Sequence, residues 1–116
     1  MNGGAIVEID GDKIGNWDGF HTEFSEVLGF PDFYGRNGNA WIDCMTDVDD
    51  AGDTMTQIKV PPGKILTLQI ANSNALKRFN PEMLGALNDL VAFVNWRRIE
   101  QGEQPVLALS YSASGD

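Results

Sequence analysis

The chain has 116 residues, with 17 acidic side chains against 8 basic ones, a formal net charge of −9 and a hydrophobic share of 42%. That length supports a single domain, 1–116, with a real core, and the hydrophobic share excludes a disordered chain. The charge argues against nucleic acid as a direct ligand, which needs clustered Lys and Arg, and no apolar run approaches the roughly 20 residues that span a membrane.

In chain order, Ala5-Ile6-Val7-Glu8-Ile9-Asp10 reads as a strand that stops in the turn Asp10-Gly11-Asp12. Asn16 caps a helix expected over about 16–28, where Trp17, Phe20, Phe24, Val27 and Leu28 recur at three- and four-residue steps. Gly29 closes it and Pro31 prevents continuation. A second helix is expected over about 37–48, with Ala40, Trp41, Cys44, Met45 and Val48 on one stripe. The stretch 47–64, rich in Asp and ending in Pro61-Pro62-Gly63, reads as a partly mobile loop. Ile65 to Ile70 is nearly continuous in apolar and β-branched residues, which predicts a strand buried on both faces.

A short helix over 72–79 stops before Asn80-Pro81, which opens a long one running to about 101. That helix is expected to turn Met83, Leu84, Leu87, Leu90, Val91, Val94 and Ile99 inward, with Gly102 as its stop. A last strand follows over 105–112, and the tail 113–116 is expected to fray. The order β-α-α-β-α-α-β predicts an α/β fold: a three-stranded parallel sheet, in a single layer, with the helices packed on it.

One cysteine, Cys44, and one histidine, His21, exclude an internal disulfide and a Cys-based zinc site. No phosphate loop or nucleophile elbow is present, so the expectation is a non-enzyme without metal or cofactor. The segment from Asp47 to Asp53 superficially resembles a calcium loop. Ala51 at its fifth position and Ile58 in place of the bidentate glutamate argue against that. Met1 to Asp12 lacks the basic start and apolar run of a signal peptide, and with the free thiol the expectation is a cytoplasmic protein.

The charge is unevenly spread. Residues 1–55 carry two basic against twelve acidic side chains, a net −10, and residues 56–116 carry six against five, a net +1. On the second helix Asn39, Asp43, Thr46, Asp47 and Asp50 share the face opposite the apolar stripe, with Ile42 at its border. Asp43 and Asp47 repel each other at four residues' separation, and the macrodipole disfavours acids towards the helix C-terminus. Stability alone would place these acids elsewhere. The face reads either as solvated surface or as an acidic docking surface with an apolar anchor. In the preceding loop, Phe33 and Tyr34 are adjacent between Pro31 and Gly35, so one of the two is expected to point outward.

The run Phe30-Pro31-Asp32-Phe33-Tyr34-Gly35-Arg36-Asn37-Gly38-Asn39-Ala40-Trp41-Ile42-Asp43-Cys44 resembles the characteristic segment of the barstar family. These are small intracellular inhibitors of ribonucleases of the barnase type and of related toxins. The resemblance implies an immunity protein whose partner is a cognate basic ribonuclease toxin, with no direct contact to nucleic acid or membrane. Asp43 falls at the position whose carboxylate replaces a substrate phosphate. Tyr34, Asn37, Asn39, Ile42 and Thr46 fall at other contact positions, Phe33 where a tyrosine is usual, and Asp47 on the same acidic face. The chain departs from the family pattern at Asn39, which replaces an aspartate, and at Gly38, which replaces a larger apolar residue. Arg97 stands near a position where the family can supply an acid. The alternative is a protein-binding module of the same fold, directed at a non-ribonuclease toxin or another partner.

Overall fold

The structure, a computed structural model, describes residues 4–113. Strand β1 (Ala5–Asp10) ends where the Asp10 carboxylate accepts the Asp12 N–H and closes a 3-10 turn over Gly11–Lys13. Gly11 is required there, because a Cβ would lie 2.4 Å from the Ala71 carbonyl oxygen. Helix α1 (Trp17–Leu28) starts on the Asn16 side chain, which accepts from Gly19 N–H, and ends in left-handed Gly29, φ 71°. Helix α2 (Gly38–Thr46) follows, then strand β2 (Leu66–Ala71), helix α3 (Ser73–Phe79), helix α4 (Pro81–Glu100) and strand β3 (Leu107–Tyr111). Asn80 ends α3 and caps α4, accepting from Met83 N–H.

The strands lie in the order β1-β2-β3, all parallel, with Ile9 opposite Ile70 and Ile70 opposite Tyr111. The chain crosses the sheet in the same direction twice, and two right-handed crossovers put their helices on one face. This explains a difference from the sequence expectation for β2. Its side chains alternate: Leu66, Leu68 and Ile70 are buried, whereas Thr67 and Gln69 are only partly covered because no helix packs beyond them. The core lies between this face and the helices, around Trp41, Phe20, Phe24, Met45, Leu68 and Leu87. The predicted fraying falls on the chain end, and residues 114–116 lie outside the described residues.

Two further expectations change. Helix α2 stops at Thr46, with Asp47 as its C-terminal cap, so 47 and 48 belong to the loop. The buried stripe of α4 runs Met83, Leu87, Val91, Val94 and then Arg98, because steps of three and four residues land on 98 rather than on Ile99, which is 55% exposed. Arg98 is only 3% exposed. Its guanidinium makes a two-pronged ion pair with Asp49, at 3.1 and 2.8 Å, and donates to the carbonyls of Thr46 and Gln104, both at 2.7 Å. One side chain therefore caps the C-terminal end of α2, holds the acidic loop and ties both to α4.

The loop itself is tied down rather than free. Val48 and Val60 are buried and joined by a backbone bond of 3.0 Å, Gln57 N–H donates to Leu28 O, and Asp53 is paired with Lys59 at 2.9 Å. Removing the clamp strands a carboxylate and a carbonyl in an apolar site, so Arg98→Met is expected to cost about 3–5 kcal/mol. Arg98→Lys recovers only part of this, lacking the planar fork. Urea unfolding is the measurement; a loss for Arg98→Met under about 1 kcal/mol would contradict the clamp.

Candidate functional site

Helix α2 is held from below and presented from above. Its buried side carries Trp41, Cys44 and Met45, all fully buried, with the Trp41 ring edge-on to Phe24. Asn37 caps its first turn, its Oδ1 accepting from Ala40 N–H at 2.8 Å. On the outer side the Asn37, Asn39 and Asp43 side chains are exposed. Between them Ile42 is almost buried, and Thr46 is buried with its hydroxyl donating to the Ile42 carbonyl at 2.6 Å. Asp47 is half-buried. The exposed face is thus two amides and one carboxylate around the tip of an isoleucine, with Thr46 and Asp47 behind.

Asp43 has a neighbour that its own helix does not supply. Arg97, on α4, brings Nη1 to 3.5 Å from Asp43 Oδ1, with the two side chains 40% and 61% exposed. An ion pair this open is worth at most about 1 kcal/mol, so another cation can exchange for Arg97. The lone acid of the face is oriented without being sealed.

The loop before α2 divides its two aromatics. Phe33 is 75% exposed, whereas Tyr34 is buried against Phe30 and His21. The Tyr34 hydroxyl lies 2.6 Å from His21 Nδ1. Burial raises the Tyr34 pKa and lowers that of His21, so the two form a neutral pair joined by one hydrogen bond. Next in the chain, Arg36 takes a left-handed backbone, φ 54°, held by three bonds from its guanidinium to Asp18 Oδ1, Asp18 O and Thr22 Oγ1. These contacts fix where the loop hands over to Asn37. Sequence reasoning assigned no role to Arg36 or to the pairing of His21 with Tyr34; both rest on contacts 13 or more residues apart.

The other candidates from the sequence settle into structural positions. Cys44 is fully buried and its thiol is pushed up to about 11 by burial and by Asp43 and Asp53, which makes it a core side chain rather than a nucleophile. Among the described residues, no group of three or more His, Cys, Asp or Glu could hold a metal ion, and no helix is long and apolar enough to cross a membrane. Sequence reasoning also passed over the outer side of α4, where Phe93 and Trp96 stand exposed in mutual contact, ring centroids 5.7 Å apart. Their three-residue spacing was the available signal.

Comparison with known proteins adds two findings. The family model described as "Barstar (barnase inhibitor)" matches residues 4–110. A protein of Bacillus subtilis (strain 168) named "Putative ribonuclease inhibitor YrdF" is 45% identical over 40 residues, which are 34% of this chain. The match spans 44% of that relative's length.

Two of the site's shifted groups, His21 and Asp47, give opposite pH effects. His21 is held below its ordinary 6.5 by burial and by Arg36, against a weaker pull from Asp18. The unfolded chain therefore binds more protons just below pH 6.5, and the stability His21 contributes is whole above 6.5 and lost as pH falls to the lowered value. Asp47 is raised above 3.8 by burial, then by Asp53 and Glu103, with Arg98 opposing, so protonating it at lower pH relieves the fold. Thermal melts of the His21→Gln variant should show a smaller loss of Tm than wild type between about pH 7 and pH 5. An unchanged slope would remove His21 as its source.

Proposed function

The chain belongs to the barstar family, and we propose that it is an immunity protein that blocks the active site of a basic ribonuclease toxin. In this reading Asp43 occupies the place of a substrate phosphate among the enzyme's Arg, Lys and His side chains. What carries the reading is the open carboxylate of Asp43 at the centre of a rigid helix face, 61% exposed and, among the described residues, held by the exchangeable Arg97. A fixed carboxylate meeting a guanidinium in a dry pocket makes charge-assisted, often two-pronged bonds. Its rigidity lowers the entropy lost on binding, since α2 is capped by Asn37 and clamped by Arg98 before the partner arrives.

The other contact positions then divide by burial. Phe33 and Asn39 are free to meet the partner, Phe33 covering apolar area and the Asn39 amide donating to or accepting from backbone groups, while Asn37, exposed too, keeps its Oδ1 on the Ala40 N–H. Ile42 offers only the tip of its side chain. Tyr34, Thr46 and Asp47 contribute mainly by holding the surface in place. The excess negative charge of residues 1–55, net −10, supplies the long-range attraction. A cell that makes such an enzyme, or meets one from a neighbour, needs an antidote in its cytoplasm that binds quickly. A second reading, the same fold directed at a different toxin, draws on Arg97 and Asn39, which leave this face less acidic than the family pattern implies.

Inhibition of RNA cleavage by barnase and by any small basic nuclease from a neighbouring reading frame is the direct assay. Asp43→Ala should weaken binding to the inhibited enzyme by about 3–5 kcal/mol, because it leaves the enzyme's cations buried and unpaired. Glu26→Ala, an exposed acid on α1, should change it by less than about 0.5 kcal/mol. The association rate should fall by about one to two orders of magnitude from low to high salt. Equal effects of the two substitutions, or a salt-independent rate, would contradict phosphate mimicry.

A further inference from the structure

Next to the α2 face lies a groove that neither the fold nor Asp43 requires. It is an open cavity of about 780 Å³ between α1, the start of α2 and α4. Its walls are largely apolar: Trp17, Ile42, Ala86, Leu90 and Phe93. Trp17 and Phe93 are each close to half-exposed, so two aromatic rings are held against water at its edges. A gap of that volume exceeds a single side chain and suits a short loop. Gly38 leaves its α2 wall bare. At this first position of α2, a Cβ would meet Leu90 Cδ2 at 3.7 Å, an ordinary contact, so a larger residue would fit and would project into the space.

The charges around the groove select its occupant. Asp18 and Arg36 neutralise each other at 2.8 Å, and the Arg36 guanidinium is further engaged by Asp18 O and Thr22 Oγ1. Asp89, on α4, also lines the groove and has no hydrogen bond or ion pair among the described residues. An apolar, aromatic-walled groove with one uncommitted carboxylate suits a cation that is weakly hydrated, planar and able to stack on a ring. Arginine fits that description better than lysine. Asn37 and Ile42 border both this groove and the Asp43 face, so one partner can span the two.

We propose that the groove receives an arginine-bearing surface loop of the partner protein, the guanidinium stacked on its aromatic walls and paired with Asp89. This rests on the immunity-protein reading for the partner being a basic enzyme, and it adds a second anchor on α1 and α4 to the acidic face of α2. The partner is then gripped at two points, by Asp43 in its active site and by Asp89 beside it. Partner choice follows from whether an arginine loop stands at the right distance from the catalytic cations.

The test uses the whole chain, labelled with nitrogen-15, and two blocked peptides: acetyl-Leu-Arg-Gly-amide and its citrulline counterpart, which keeps the shape and loses the charge. The arginine peptide should give saturable shifts at the Trp17 indole N–H and at the Gly38 and Leu90 amides. The citrulline peptide should bind about threefold more weakly, and Asp89→Asn should shrink that difference to the part owed to ring stacking. Gly38→Leu, which narrows the groove at its α2 wall, should weaken the shifts without lowering Tm. Equal binding of the two peptides, or shifts confined to other surfaces, would overturn the proposal. Concentration-dependent shifts of Trp17 and Phe93 without peptide would assign the groove to a second copy and overturn it as well. If no basic ribonuclease is inhibited while the arginine peptide still binds, the groove stands and only the partner's identity falls. If Asp43→Ala abolishes inhibition while Gly38→Leu and Asp89→Asn leave it unchanged, the groove falls alone.

Discussion

The guanidinium of Arg98 is the point on which the rest of the molecule depends. It is one of the least exposed charged groups among the described residues, and its bonds to Thr46 and Asp49 join segments about fifty residues apart in sequence. Burying a charge is costly unless it is paired and fully hydrogen-bonded, and here Asp49 and two carbonyls meet that condition. The geometry has a functional consequence. A helix of nine residues has little stability of its own, and α2 ends in carbonyls and acids that disfavour each other. The clamp supplies the positive charge that its C-terminal end lacks, and the loop's carboxylate is consumed in doing so.

That division of labour separates structural acids from available ones. Asp49 and Asp53 are engaged by Arg98 and Lys59, Asp10 caps a turn and accepts from Asn72, and Glu23 accepts from Asp10 N–H. The net charge of −9 is therefore a poor guide to where a partner binds. Much of the negative charge in the first half stabilises loops and turns. What is left for a partner on α2 is concentrated on Asp43, and on α4 near it, Asp89. Both are exposed on helices whose opposite sides are packed in the core, so each carboxylate is carried on a rigid support.

Much of this was readable in advance, for definite reasons. Caps and stops are local signals, so Asn16, Gly29, Asn37 and Asn80-Pro81 marked the helices within one or two residues. Alternation of helices and apolar strands was enough for a parallel three-stranded sheet. The Phe33–Tyr34 pair had to divide between solvent and core, and it does. Sequence reasoning failed where a long-range partner overrides local character. Arg98 takes a core position that hydrophobicity would give to Ile99, because Asp49 waits there. The loop over 47–64, which composition marks as mobile, is pinned by that same pair and by Val48 and Val60. Arg97 was visible as a departure, but not that it would reach Asp43. Gly38 was likewise visible as a departure, but not the groove beside it, which needs α1 and α4 brought together.

The central claim is that Asp43 occupies the site where the enzyme holds a phosphate, and competition measures this most directly. At constant ionic strength, the affinity of the protein for an inhibited ribonuclease should be titrated against a mononucleotide that occupies the enzyme's active site. Phosphate mimicry predicts mutual exclusion: the apparent Kd rises in proportion to nucleotide concentration, without a plateau, and Asp43→Ala relaxes that dependence. A Kd that levels off, with nucleotide and protein bound together, would contradict it.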